Sequence, residues 1–264
     1  LKQRIITGVI AGGFFIALTI IGGWFFYGLL LLLAIIGYGE FVRMNGLSWT
    51  NPASLLGFAG VLAFMLPWQE WSIDEPSGQF IAWLLMFGLL SITVFTKNQV
   101  KLDEAALLLL GAMYVGIGFQ AMHEVRSANG HGLLATIVAF CAIWSSDIGA
   151  YFFGKAFGKH KLWPAISPNK TIEGSIGGVL LSLAVALLFA VIYPDMIGFA
   201  DAFWIGILAA VAGQLGDLIQ SAYKRVRGIK DSGALLPGHG GVLDRCDSWI
   251  IVFPLLLMTG LLPF

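Results

Sequence analysis

The sequence predicts an all-α polytopic membrane protein of about nine transmembrane helices, with its N-terminus cytoplasmic and its C-terminus outside. Three observations carry this expectation. Of 264 residues, 58% are hydrophobic and 11% charged, against about 25% charged in soluble domains, and mean hydropathy is +0.86. Nine apolar stretches approach the roughly 20 residues a helix needs to cross a bilayer core. With nine spans and the N-terminus inside, every basic residue except Arg126 falls in or beside a cytoplasmic segment, as the positive-inside rule requires.

The stretches, in order, are 5–21, 23–42, 52–68, 80–96, 105–122, 132–153, 174–194, 202–222 and 248–263. Lys2 and Arg4 ahead of the first resemble a signal peptide. No small-x-small cleavage site precedes the second stretch, so the first is expected to be a membrane helix. Leu1 at the start points to a trimmed initiator end. Gly22-Gly23 marks a tight hairpin or break between the first two spans, and Pro52 and Pro67 bound the third. The inside holds Lys2, Arg4, Arg43, Lys97, Lys101, Lys155, Lys159, Lys161, Lys170, Lys224, Arg225, Arg227, Lys230 and Arg245. The outside holds Arg126 with Glu70, Asp74, Glu75, Glu124, Asp195 and Asp201. A count wrong by one span would scramble this division.

Composition excludes a soluble globular domain and a disordered chain. Fifteen basic and fifteen acidic residues cancel, leaving no global field for a polyanion, so no nucleic-acid partner is expected. Cys141 and Cys246 are too few for a disulfide framework and lack metal-ligand spacing, so both read as packing residues. The chain is lopsided. Residues 1–130 read as packing helices with glycines such as Gly8-x-x-x-Gly12 suited to close helix contact or a dimer. Residues 131–264 carry two cytoplasmic loops, 154–173 and 223–247, dense in charge, glycine and proline, and function is expected there.

Charges inside membrane helices cost about 2.5–3.5 kcal/mol on insertion scales, so Asp147 and Asp217 need a reason. The bland reading is a helix-end acid reaching interfacial water or a lysine; the sharper one is a polar, cation-binding cavity. Asp217, Ser221, Lys224 and Arg225 fall at i, i+4, i+7 and i+8, on one helical face. A carboxylate, a hydroxyl and two cations suit a magnesium-bound, phosphate-rich ligand, because magnesium often binds one or two carboxylates plus substrate phosphates. Downstream, Gly238, Gly240 and Gly241 permit close backbone approach to phosphate oxygens. Asp244 and Asp247, at i and i+3 at the start of the last helix, can face one point, and anions are favoured there. In the other loop, Ser167-Pro168 reads as an N-cap followed by a first-turn proline. Its lysines alternate with glycine and aromatics, as an interfacial phosphate-binding segment would, or simply enforce topology. No Walker loop, dinucleotide fingerprint or Gly-x-Ser-x-Gly elbow is present.

The run from Ser221 to Asp247 resembles the signature of the phosphatidate cytidylyltransferases, or CDP-diacylglycerol synthases. Its fixed positions are matched by Ser221, Lys224, Arg225, Lys230, Asp231, Pro237, His239, Gly240, Gly241, Asp244, Arg245 and Asp247. The upstream stretch from Asp147-x-Gly149-Ala150-Tyr151 through Ser167-Pro168-x-Lys170-Thr171-x-Glu173-Gly174 is also similar to that family. Tyr223 and Cys246 occupy variable slots where the family usually has aliphatic or phenylalanine residues; Cys246, between two aspartates, makes steric inhibition by thiol reagents an expectation.

The resemblance implies the transfer of a cytidylyl group from CTP to phosphatidate, giving CDP-diacylglycerol and pyrophosphate. Asp217, Lys224, Asp244 and Asp247 are the expected catalytic residues, with Asp217 and Asp244, then Asp247 and Asp231, as metal ligands. Mg2+ is the expected cofactor; four aspartates exceed what one magnesium needs, leaving room for a second divalent or a monovalent cation (K+). Lys224, Arg225, Lys230 and Arg245 are expected on phosphates, Ser221 and Asp231 beside substrate, and His239-Gly240-Gly241 as backbone donors. Asp147, Lys170 and Glu173 complete the cavity wall. CTP arrives from the cytoplasm, and phosphatidate sideways from the inner leaflet through an opening near helices six to nine. The resemblance also implies a homodimer, and the charge division fits a bacterial inner membrane most simply. Rival readings are a lipid kinase or another lipid-phosphate transferase, separable by nucleotide preference, and an ion-coupled transporter using Asp147 and Asp217. The CDP-alcohol phosphotransferase signature is absent, and no internal repeat supports transport.

Overall fold

A continuous helix cannot pass Gly22, whose φ of +69° lies in the left-handed region. The computed structural model accordingly ends α1 (Lys2–Ile21) there and begins α2 (Gly23–Met44) at the next residue. The structure describes residues 2–68, 71, 73–74, 76–128, 130–235 and 240–262, the side chains of 2–5 excepted. Glu70, Glu75, Pro237, Gly238 and His239, with the side chains of Lys2 and Arg4, therefore lie outside the described residues. Arg126 seals the α1–α2 break: its guanidinium donates to the carbonyls of Thr19 (2.7 Å) and Ile20 (3.0 Å). These are last-turn carbonyls, which have no partner within the helix.

The remaining helices are α3 (Pro52–Met65), α4 (Gly78–Phe95), α5 (Leu102–Ser127), α6 (Gly132–Phe157), α7 (Ile172–Ile192), α8 (Phe199–Val226) and α9 (Leu243–Thr259). Each coincides with one of the nine apolar stretches. Among the described residues, six are long and apolar enough to cross a membrane: α2, α4, α5, α6, α7 and α8. Three depart from that measure. Of α1, only Ile6–Ile21 has described side chains, fewer than 18 residues. With 14 residues, α3 spans about 21 Å and stops before Pro67. The first turn of α9 carries Asp244 and Arg245, and Asp247 follows in the next turn.

Two expectations are corrected between α6 and α7. The stretch 154–173 is not simply a loop: α6 continues to Phe157, and an antiparallel hairpin of β1 (Lys161–Trp163) and β2 (Ser167–Thr171) follows. Among the described residues, the regular secondary structure is thus helical apart from this small hairpin. Ser167-Pro168 does not start a helix; it opens β2, where proline is tolerated at the first positions of an edge strand. The cap is Thr171, whose side-chain oxygen accepts from the N–H of Gly174 at 3.1 Å.

Small residues set the helix spacing around the acids. A Cβ on Gly149 would lie 2.6 Å from the carbonyl oxygen of Gly177, so α6 and α7 touch backbone to backbone two residues after Asp147. A Cβ on Gly216 would lie 2.6 Å from the carbonyl oxygen of Asp247, which presses α8 against α9 beside Asp217. Helix α9 sits among α2, α5, α6 and α8. Its Phe253 and Trp249 join Phe140, Trp144 and Phe15 in an aromatic cluster linking α9, α6 and α1. The buried core runs across residue 130: Tyr38, Phe119, Leu243 and Phe253 all belong to it.

Candidate active site

Helices α6, α8 and α9 bring the acids they carry to one place. A cavity of about 710 Å³ is lined by Asp147 and Lys155 of α6, Lys170 of β2, Asp217 and Lys224 of α8, Asp231 of the α8–α9 connection, and Asp244, Arg245 and Asp247 of α9. Leu162 and Asn169 of the hairpin and Ser175 and Gln214 also line it. Gln214 is held between α7 and α6, bonded to Ser175 and, at 3.3 Å, to Ser146.

Two ion pairs divide the cavity. Lys170 meets Asp217 at 2.7 Å, and the Ser221 hydroxyl donates to the other Asp217 oxygen at 3.2 Å. Lys224 meets Asp244 at 2.6 Å, with the two side chains 12% and 6% exposed, so this pair is buried. The second Asp244 oxygen accepts from the N–H of Ser232 (2.8 Å), the Ser232 hydroxyl (3.0 Å) and the N–H of Gly241 (2.9 Å). That donor set leaves Asp244 little capacity for a metal ion. Asp147 and Asp247 differ: among the described residues, neither forms an ion pair with a basic side chain.

Several expected residues sit elsewhere. Glu173 does not line the cavity. It accepts from the backbone N–H groups of Lys159 and His160 and contacts His160 Nδ1 at 2.6 Å, fastening the base of the hairpin. Arg225 turns out of the cavity, its Nε donating to the Ile166 carbonyl at 3.2 Å, and so ties the hairpin tip to α8. Lys230 is exposed and outside the lining. Gly240 has φ +81° and Gly241 gives its N–H to Asp244, so this segment shapes an aspartate directly. Ser221 acts through Asp217.

Sequence reasoning passed over Lys155, Asn169, Ser175, Gln214 and, most of all, Glu40. Glu40 lies on α2, 5% exposed, and accepts from the N–H groups of Val242 (2.9 Å) and Leu243 (3.0 Å) and from the Ser232 hydroxyl (2.8 Å). The signal was the one that singled out Asp147: a carboxylate within an apolar helix.

A second cavity, about 490 Å³ and mostly apolar, adjoins the first. It is lined by Gly8, Gly12 and Phe15 of α1, Leu29 and Leu33 of α2, Trp144 of α6 and Cys246 and Trp249 of α9. It shares Asp147, Arg245, Asp247 and Ser248 with the polar cavity. Within this chain, Gly12 faces open space: a Cβ there would meet nothing within 4 Å.

The chain matches the model of the cytidylyltransferase family over residues 2–262. It is 42% identical over 262 residues to a phosphatidate cytidylyltransferase of Staphylococcus saprophyticus, covering 97% of each chain. It is 41% identical over 259 residues to one of Bacillus subtilis, covering 97% of this chain and 96% of that one. A phosphatidate cytidylyltransferase of Staphylococcus aureus is 42% identical over 262 residues, with 97% of each chain covered.

Proposed function

The chain belongs to the cytidylyltransferase family, and on that premise we propose that it transfers the cytidylyl group of CTP to phosphatidate, giving CDP-diacylglycerol and pyrophosphate. The observation that carries this reading is the junction of a charged cavity and an apolar one at Asp147, Arg245, Asp247 and Ser248. Such a junction accommodates one polar and one amphipathic substrate with their phosphates together.

In the reaction a phosphate oxygen of phosphatidate attacks the α-phosphorus of CTP. A new P–O bond forms, the bond to the β-phosphate breaks, and pyrophosphate leaves with its electron pair. The nucleophile is already anionic, so repulsion and positioning dominate the barrier. The polar cavity is lined by Asp147, Asp217, Asp231, Asp244 and Asp247 against Lys155, Lys170, Lys224 and Arg245. Side chains alone therefore cannot neutralise two phosphate-bearing substrates. Among the described residues no three acids, histidines or cysteines stand close enough to hold a metal by themselves. That fits Mg2+, which binds through one or two carboxylates and substrate phosphates. One or two of Asp147, Asp217 and Asp247, together with substrate phosphates, would hold it, with a second cation, divalent or K+, beside it; bound there, such ions would neutralise charge on the transferred and leaving phosphates. Lys224 and Arg245 orient phosphate oxygens, and Lys170 holds Asp217 from the hairpin. Asp244 keeps Lys224 in place.

The chain reads as nine membrane spans with the N-terminus and the polar cavity at the cytoplasmic surface, in a bacterial inner membrane. Two contacts support that grouping of helix ends. Arg227 bonds Asn45 at 2.7 Å, joining the α8–α9 and α2–α3 connections at one end. Arg126 binds the end of α1 at the other. The lipid route lies between α1, α2, α6 and α9 rather than among helices six to nine alone. The same reading carries a homodimer, with the exposed glycines Gly13 and Gly28 as close-approach positions.

The test is a detergent-solubilised assay with labelled CTP and phosphatidate, with and without Mg2+. Mg2+-dependent CDP-diacylglycerol and pyrophosphate are expected; no product with any divalent metal, from folded protein, overturns the reading. Gly12→Leu probes the lipid route, since the new side chain projects into open space. It is expected to raise KM for phosphatidate about tenfold and leave KM for CTP unchanged, because filling a binding pocket by a few methylenes is worth about 1–3 kcal/mol. Equal shifts in both constants would move the lipid elsewhere.

A further inference from the structure

Helix α9 begins without a local cap: Val242 at its N-cap position has helical φ and ψ of −64° and −45°, and no side chain of its own segment caps it. First-turn N–H groups need an acceptor, and the positive end of the helix dipole favours an anion. Glu40 supplies both from α2, some 200 positions away in the chain, through Val242 and Leu243. The fit is built around the carboxylate. A Cβ on Gly241 or on Gly233 would lie within 2.5 Å of a Glu40 oxygen, so only glycine admits it on both sides. No basic side chain pairs with Glu40 among the described residues.

The Ser232 hydroxyl stands between two carboxylates, 2.8 Å from Glu40 and 3.0 Å from Asp244. Glu40 therefore ties Ser232, within the α8–α9 connection, to the start of α9, the turn that carries Asp244 and Arg245. We propose that Glu40 is a positioning residue for cytidylyl transfer, a latch by which the N-terminal helices hold the first turn of α9 and Ser232 in register with Asp217 and Lys224 on α8. This rests on the cytidylyltransferase reading.

The test compares purified wild type, Glu40→Gln and Ser232→Ala in one detergent, with kcat, both KM values, the Mg2+ titration midpoint and the thermal midpoint measured together. Glu40→Gln keeps the shape but sets an amide NH2 against backbone donors. Its kcat is expected to fall about 10²-fold, the scale of an ångström-level misplacement, with KM for CTP within about threefold and the Mg2+ midpoint raised. Ser232→Ala is expected to lower kcat in the same direction by about tenfold. The double variant should be no worse than Glu40→Gln, since neighbours in one network are non-additive. If Glu40→Gln fails to fold, Ser232→Ala and its Mg2+ curve decide. The latch is overturned if kcat per folded molecule and the Mg2+ midpoint stay at wild-type values in the variant that folds. Absence of CDP-diacylglycerol synthesis by the wild type overturns the underlying reading instead.

Discussion

Asp217→Asn lowers kcat/KM for CDP-diacylglycerol formation by about 10²–10³-fold, the usual effect of removing one group that stabilises transition-state charge, while the protein stays folded. The substitution keeps size and hydrogen-bonding capacity but deletes a charge that faces the polar cavity between α8 and the hairpin. Lys170 then loses the counter-ion it meets at 2.7 Å and carries an uncompensated charge near the phosphates. The Ser221 hydroxyl keeps an acceptor, so the local helix face is preserved. An unchanged size-exclusion profile with the lost rate is the expected pair of results. Activity within about threefold of wild type would shift the cation site to Asp147 and Asp247 and leave Asp217 as the anchor of the hairpin lysine.

Asp244→Ala has the largest expected effect on stability. It removes the partner of Lys224 in a pair whose side chains are 12% and 6% exposed, and breaking a buried pair from one side costs about 3–5 kcal/mol. It also strands the N–H groups of Ser232 and Gly241. The expected result is a large fall in thermal midpoint together with loss of activity. Replacing both partners, Lys224→Met with Asp244→Leu, removes the stranded charge and should restore much of the midpoint, because apolar replacement of a buried pair is often neutral or better. Activity should not return. Asp231→Ala, at an exposed position, is expected to change stability by no more than about 0.5 kcal/mol. Equal destabilisation by Asp231→Ala and Asp244→Ala would refute the buried role of Asp244.

Residue by residue, legibility followed locality. Gly22 breaking α1 from α2 and Pro52 opening α3 both follow from backbone chemistry confined to a few residues. Asp147 and Asp217 were legible because a charge in an apolar helix is expensive wherever the helix ends up. Asp244 and Asp247 were legible because a spacing of three puts both on one face. The same reasoning misplaced Glu173 and Arg225. Arg225 reads as a phosphate ligand and Glu173 as part of the cavity wall, yet the hairpin takes both, through the carbonyl of Ile166 and the N–H groups of Lys159 and His160.

The sequence by itself determined a helical membrane chain, its helix positions, the acids and bases that cannot face lipid, and the chemistry of the family it resembles. Only the tertiary structure decided which acid answers which base: Lys170 with Asp217, Lys224 with Asp244, and Glu40 with the start of α9. It also decided that α1 walls an apolar cavity reaching Asp147 and Asp247. Spacing along one helix fixes a face, but partners on different helices meet at distances set by crossing points. Here those crossings are set by the absence of side chains at Gly149 and Gly216, where backbones touch. That closeness depends on two surfaces at once, which no single stretch of sequence contains.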